Sequence, residues 1–225
     1  MSYKQKSPQP VVEGGTEIQS ATAYAPICGG TTSTSPLQSG DSGISNSGYV
    51  YTSNGASSLP SFQEVSVGGG TLGTVQDTTS GTSVSFTGIP SGVKYILFGL
   101  QNVSASDGSG TFALQLGDAG GVETTGYAGR TVLSGTQYTW TTAIRITQAA
   151  AIETSKTYVG TVELSLSNAS SNTWVVSLNT TAVSASSCVY GSGIKSLSGE
   201  LTQIMFSVET AGAFNGGSVN ILYYS

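Results

Sequence analysis

Histidine is absent from the 225 residues. Without an imidazole the chain cannot build a Ser-His-Asp or Cys-His nucleophile, nor a histidine-ligated zinc. Charge is scarce as well. Charged residues make up 8% of the chain, against about 25% in an ordinary globular protein. Seven Lys and Arg stand against twelve Asp and Glu, a formal net charge of −5, which argues against an electrostatic grip on nucleic acid. No apolar run approaches the roughly 18 residues of a membrane span, so no membrane insertion is expected. In Met1 to Pro10, Lys4 and Lys6 are followed by no apolar stretch, and no secretory signal is expected there. The two cysteines, Cys28 and Cys188, follow no metal-ligand or redox spacing. They read as two small buried or half-buried thiols, with a disulfide as the lesser alternative.

Small neutral residues fill the space left by charge. Gly, Ser and Thr together account for 97 of the 225 residues, a composition suited to strands and turns rather than helices. The prolines are unevenly placed. All six (Pro8, Pro10, Pro26, Pro36, Pro60, Pro90) fall at or before position 90. Because proline is excluded from central strands, a continuous sheet is expected only in the later part.

Residues 1–17 are polar and aperiodic, and read either as a loose tail or as a peptide that orders on a larger partner. Residues 18–63 carry few, isolated apolar side chains, among them Ile27, Leu37, Ile44 and Val50, between turn signals such as Gly29-Gly30, Ser39-Gly40 and Asn54-Gly55. Such a segment cannot bury enough surface by itself to offset its backbone entropy. It is disordered, or it shares a core with other copies around a symmetry axis. Ile27, Leu37, Ile44 and Val50 are the candidate contacts of such an oligomeric neck.

From about residue 64 the pattern becomes that of strands. Period-two alternation or short apolar runs cover 84–88, 93–103, 111–117, 138–147, 157–167, 173–183, 201–210 and 218–225. In 111–117 Phe112, Leu114 and Leu116 point inward and Ala113 and Gln115 outward. In 138–147 Tyr138, Trp140, Ile144 and Ile146 share one face and Arg145 takes the other. About eight strands with antiparallel alternation predict an all-β, jelly-roll-like β-sandwich head at 64–225, preceded by the extended, apolar-poor segment 18–63. One helical turn is the most that 147–156 offers.

Chemistry is sparse. Asp118 and Glu123 form the closest carboxylate pair in a plausible loop, GDAGGVET. The favoured reading is a Gly-rich turn whose Asp caps backbone N–H groups, with a ligand-contact loop as the alternative. One Asp and one Glu fall short of a calcium loop and of a convincing glycosidase pair. SDGSG at 106–110 reads as a hairpin turn, and the glycines at 68–70 adjoin no strand–helix unit that would make them a phosphate loop. Tyr127, Tyr138 and Tyr190 lie at or near loops, where an aromatic face can serve a sugar. Each is more simply a packed tyrosine with a satisfied hydroxyl. No catalytic, metal-binding or cofactor-binding residue is assigned, and no cofactor is expected.

Two stretches, ATAYAPICGGTTSTSPLQS (21–39) and GYVYTSNGASSLPSFQ (48–63), resemble a recurring element of bacteriophage tail-fibre and related virion proteins. Thr22 to Ser39 and Gly48 to Gln63 carry the likeness. Tyr49 and Tyr51 depart from it, since small or aliphatic residues are usual there. FTGIPSGVKYILFGLQNVS (86–104), LQLGDAGGVETTGYAG (114–129) and GGSVNILYYS (216–225) resemble a phage-associated β-sandwich. The resemblance implies a trimeric fibre located on the virion, at the tail or the capsid surface. It implies an attachment peptide at 1–17 that binds another virion protein, a short intertwined neck, and a head that touches the host. It brings no catalytic residues, so the chain is not expected to be an enzyme. The expected partners are therefore two further copies of the chain, a baseplate, tail or capsid protein, and a host-surface glycan met by a loop containing Asp118, Glu123 and Tyr127. The alternatives are a capsid decoration or head-fibre protein of the same construction, and a non-catalytic carbohydrate-binding module.

Overall fold

In the computed structural model, residues 25–28, 38–39, 49–54, 58, 60–64, 69–107, 110–147, 152, 154, 156–183 and 188–225 are described. They are all-β. No helix occurs among them, hence none long and apolar enough to cross a membrane. The chain divides into two units, Met1–Val67 and Gly68–Ser225.

In the first unit β1 (Ile27–Cys28) pairs antiparallel with β2 (Gln38–Ser39), and β3 (Tyr49–Thr52) with β4 (Ser61–Glu64). The rings of Tyr51 and Phe62, directly opposite each other, lie 4.9 Å apart. Gln63 and Ser61 reach the side chain of Asn54 at 2.6 and 2.9 Å. Two isolated two-stranded sheets are marginal in water. Ile27 is 55% exposed, Val50 48% and Tyr49 40%. Leu37 and Ile44 lie outside the described residues.

The second unit begins with two short strands, β5 (Thr71–Leu72) and β6 (Gln76–Asp77), followed by β7 (Ser83–Thr87), β8 (Tyr95–Ala105), β9 (Thr111–Asp118) and β10 (Gly121–Val122). Then come β11 (Tyr127–Leu133), β12 (Thr136–Trp140), β13 (Ile144–Arg145), β14 (Tyr158–Asn168), β15 (Thr173–Ala182), β16 (Cys188–Ser196), β17 (Gln203–Glu209) and β18 (Phe214–Tyr224). They form two sheets in which every pairing is antiparallel. One runs β12-β11-β16-β15-β14-β8-β18-β5, with β6 also on β18. The other runs β10-β9-β17-β7, with β13 on β9. Eight of these strands make a closed pattern: β6-β18-β8-β14 in one sheet and β7-β17-β9-β13 in the other. Numbered along the chain, these orders are 1-8-3-6 and 2-7-4-5, the order of a jelly roll. Two insertions, β10–β12 and β15–β16, add four strands to the first sheet beyond β14 and β10 to the second.

The sheets face each other across an aromatic core. Phe98 on β8 meets Phe86 on β7 and Phe206 on β17, with centroids 6.0 and 5.4 Å apart. Phe112 on β9 meets Tyr158 on β14 at 5.3 Å and Phe214 on β18 at 6.0 Å. Phe98, Phe112 and Phe206 are fully buried, each stabilising the fold by about 1.5–3 kcal/mol relative to exposure. Alternation places Val162, Leu164 and Leu166 of β14, Trp174, Val176 and Leu178 of β15, and Ile204, Phe206 and Val208 of β17 inward; all are buried except Leu166, which is half-buried against the core.

The structure corrects several expectations. β9 is buried on both faces, Ala113 and Gln115 included. Arg145 lies opposite Ala113 and Glu209 opposite Thr111, so their ion pair (3.2 Å) spans β9 on its outer side. Gln115 donates to the Thr142 carbonyl at 3.0 Å. Residues 138–147 are two strands in different sheets, not one, because the chain leaves the first sheet at 141–143. β8 and β9 belong to different sheets, so they are not the paired strands of the hairpin expected at 106–110, of which 108–109 lie outside the described residues. Cys188, expected at least half-buried, carries an exposed free thiol. Of the helical turn at 147–156, most falls outside the described residues.

Candidate functional site

The loop singled out in the sequence lies at the end of β9. Antiparallel pairing of Asp118 with Gly121 and of Gly117 with Val122 closes a tight turn. Asp118 Oδ1 accepts the Gly120 N–H at 2.8 Å, the capping role expected of it. Gln203 on β17 donates to the Asp118 carbonyl at 2.8 Å and fixes the base of the turn.

Two residues that no local pattern marks then join Asp118 and Glu123. Ser198, in the turn after β16, places its hydroxyl 2.8 Å from Asp118 Oδ2 and 2.7 Å from Glu123 Oε1. Its N–H donates to Glu123 Oε1 at 2.7 Å. Lys195, on the inner side of β16, donates to Glu123 Oε2 and, at 2.8 Å, to the Ser196 carbonyl. All four carboxylate oxygens of Asp118 and Glu123 therefore have partners. Burial by itself would raise the Glu123 carboxyl. The Lys195 ammonium and the Ser198 donors outweigh it and hold the group below the ordinary carboxylate range.

Tyr127, expected in the contact loop, is a core residue, 3% exposed. Its hydroxyl accepts the Leu116 N–H at 2.7 Å and donates to the Glu123 carbonyl at 3.0 Å. Burial pushes the phenol well above its ordinary range. The Lys195 ammonium lies 5.2 Å from the centre of the Tyr127 ring, within reach of a cation–π attraction. Tyr127 thus supports the loop from below and does not reach its surface. Tyr190 is 56% exposed on β16, and Tyr138 is half-buried on β12.

What this arrangement does chemically is brace. The β9–β10 turn and the turn after β16 are pinned together by one buried cation and one hydroxyl shared between two carboxylates. On the surface it leaves Ala119, Gly120, Thr124, Thr125 and Ser198, small and hydroxyl-bearing. Among the described residues no group of three or more His, Cys, Asp and Glu side chains could hold a metal ion. The chain matches no protein-family model, no curated protein and no solved structure at a significant level.

Proposed function

We propose that the chain is the subunit of a short bacteriophage tail fibre, a homotrimer carried on the virion with its jelly-roll head directed at the host surface. The observation that carries this reading is the contrast between the two units. Gly68–Ser225 closes its own aromatic core. The described part of Met1–Val67 consists of two minimal hairpin-like sheets that leave Ile27, Tyr49 and Val50 uncovered. A chain in which one region is self-sufficient and the other needs company fits a head borne on an intertwined neck. The resemblance of residues 21–39 and 48–63 to virion fibre proteins points the same way.

In this reading residues 1–17 attach the trimer to another virion protein. Adsorption works by multivalency, since three weak head sites engaged together exceed any one of them. The braced 118–126 loop with Ser198 supplies the contact surface. Its hydroxyls suit a neutral glycan, whose own hydroxyls ask for short hydrogen-bond partners rather than charge. The role is adhesion without turnover, the Ser198 hydroxyl between Asp118 and Glu123 serving to hold the two turns together.

Absolute mass by light scattering, combined with binding of labelled protein to bacterial cells, tests the proposal. A mass near three times 22.7 kDa with saturable cell binding is expected. A monomer that binds no cell, or a protein that depolymerises surface polysaccharide with turnover, overturns it.

A further inference from the structure

The sandwich is open where its two sheets end. β5 and β6 end one sheet along β18, and β7 ends the other along β17; among the described residues nothing pairs with the far side of these strands. Between them lies a cavity of about 340 Å³, at the small end of the range for ligand pockets. Its floor is the core of the head. Phe86 and Ile221 are buried there, and Tyr223 packs half-buried beside them.

The walls carry polar groups that the fold leaves unused. In an antiparallel pair, opposed residues exchange hydrogen bonds at every second position. The Val208 N–H donates to the Thr82 carbonyl at 2.9 Å. Counting in twos along the register from that bond, Val84 and Phe86 give their backbone groups to β17. The N–H and C=O of Ser85 and Thr87 therefore point the other way, where both residues line the cavity. Gln76 comes from the facing wall. It lies opposite Val219 on β18, which is 1% exposed. Directly opposed residues share a face of the sheet, so the Gln76 amide is turned inward to the cavity. Among the described residues no hydrogen bond occupies it.

We propose that this cavity binds one neutral sugar ring. A pyranose has an apolar C–H face, which suits Phe86, Ile221 and Tyr223, and a rim of hydroxyls, which suits the walls. Each hydroxyl both gives and takes hydrogen bonds, and each wall offers a donor and an acceptor: the backbone of β7 on one side, the Gln76 amide on the other. No acid or base lines the cavity, so a uronic acid would bring a charge in without a partner. An extended peptide pairing with the free side of β7 is the competing occupant. Strand pairing uses one edge and leaves the Gln76 amide unmatched, whereas a ring held between the walls reaches both. The site shares no residue with the braced loop, and all of it lies within one head, so it needs no second copy.

Saturation-transfer NMR on the full chain tests this, with glucose, galactose, mannose and N-acetylglucosamine added singly at millimolar concentration and glucuronate as the charged probe. Transfer to at least one neutral sugar and none to glucuronate is expected. Gln76→Leu keeps the bulk and removes the amide, and is expected to weaken that sugar about tenfold, with the near-UV circular dichroism of the head unchanged. No transfer to any neutral sugar, equal transfer to glucuronate, or a Gln76→Leu protein that binds as well as the parent overturns the proposal. If Thr125→Val in the braced loop abolishes the transfer while Gln76→Leu spares it, the sugar sits on the loop: the cavity proposal fails and the adhesion reading stands. Slowed hydrogen exchange at the Ser85 and Thr87 amides with an added valine–threonine hexapeptide, and with no sugar, would assign the edge to strand addition and likewise overturn it.

Discussion

Lys195 and Glu123 are 72 residues apart in the chain and form an ion pair beneath the surface of the head. The two ends of the pair are unequally buried: the lysine side chain is 3% exposed, the glutamate 22%. Removing either partner of a buried pair strands the other, and the cost follows the burial of the group left behind. Glu123→Ala strands a nearly enclosed ammonium and is expected to cost about 2–4 kcal/mol. Lys195→Met strands a carboxylate that keeps its Ser198 donors and some water, and is expected to cost about 1–2 kcal/mol. Urea unfolding of the two variants measures the order. If Lys195→Met is the worse of the two, burial of the stranded group does not set the cost.

The same pair sets a pH dependence. The folded Glu123 carboxyl lies below its unfolded value of 4.5. Its contribution is therefore present above that value and is lost as pH falls through the folded one. Glu200 acts in the same direction, its carboxylate held by the Gly92 N–H and the Ser91 hydroxyl. At the alkaline end the sign reverses. Tyr127 is raised by burial, so its contribution is full below the unfolded value of 10.0 and declines as pH rises beyond it. Head stability is expected to be flat through neutrality, to fall below about pH 4.5 and to fall again above about pH 10. Glu123→Gln should flatten the acid limb, and Tyr127→Phe the alkaline one. Denaturation midpoints across pH for the three proteins decide this.

The indole of Trp140 has its own requirement. Gly193, Gly129 and Trp140 lie in one row across β16, β11 and β12. A Cβ on either glycine would overlap the Trp140 ring, so the fully buried indole lies flat over both backbones. Gly129→Ala is expected to destabilise the head by about 1–3 kcal/mol through overpacking. Trp140→Leu in the same chain should recover part of the loss. Gly99→Ala on β8 is the comparison, since its Cβ would meet only the Asn220 carbonyl, at an ordinary 3.9 Å. Thermal melts showing equal losses at Gly129 and Gly99 would exclude this account.

These glycines also explain what the sequence concealed. β11 and β16 escape an alternation search because Gly129, Gly191 and Gly193 occupy inward positions where apolar residues would have signalled a strand. The apolar mass that covers Gly129 and Gly193 comes from Trp140, on another strand. In 138–147 the apolar face is interrupted at Thr142 alone, with Ala143 out of step beside it, and this single weak break at 141–143 is the only local trace of the change of sheets. β9 reads as one-faced because the cover on its outer side is the Arg145–Glu209 pair, which comes from two distant strands. The Asp118 cap was legible because its donor, Gly120, is two residues away. Lys195 and Ser198 were not, because their partners lie 72 to 80 residues off. The aromatic and β-branched runs of β8, β14, β15 and β17 were legible because their burial is decided by period two alone.

The neck leads to the last prediction. Val50 on β3 is 48% exposed. If copies of the chain cover Val50, a carboxylate at that position is desolvated on assembly and repelled by its images. Each buried, unpaired copy costs several kcal/mol. Val50→Asp is therefore expected to lower the light-scattering mass toward that of a single chain at micromolar concentration. The near-UV circular dichroism of Trp140 and Trp174, both buried in the head, should stay unchanged. Asp118→Ala, which alters only the braced loop, should keep the assembled mass. A Val50→Asp protein with an undiminished mass would show that Val50 lies outside the shared core. Loss of the tryptophan signal together with the mass would show that the head does not fold independently of its neck.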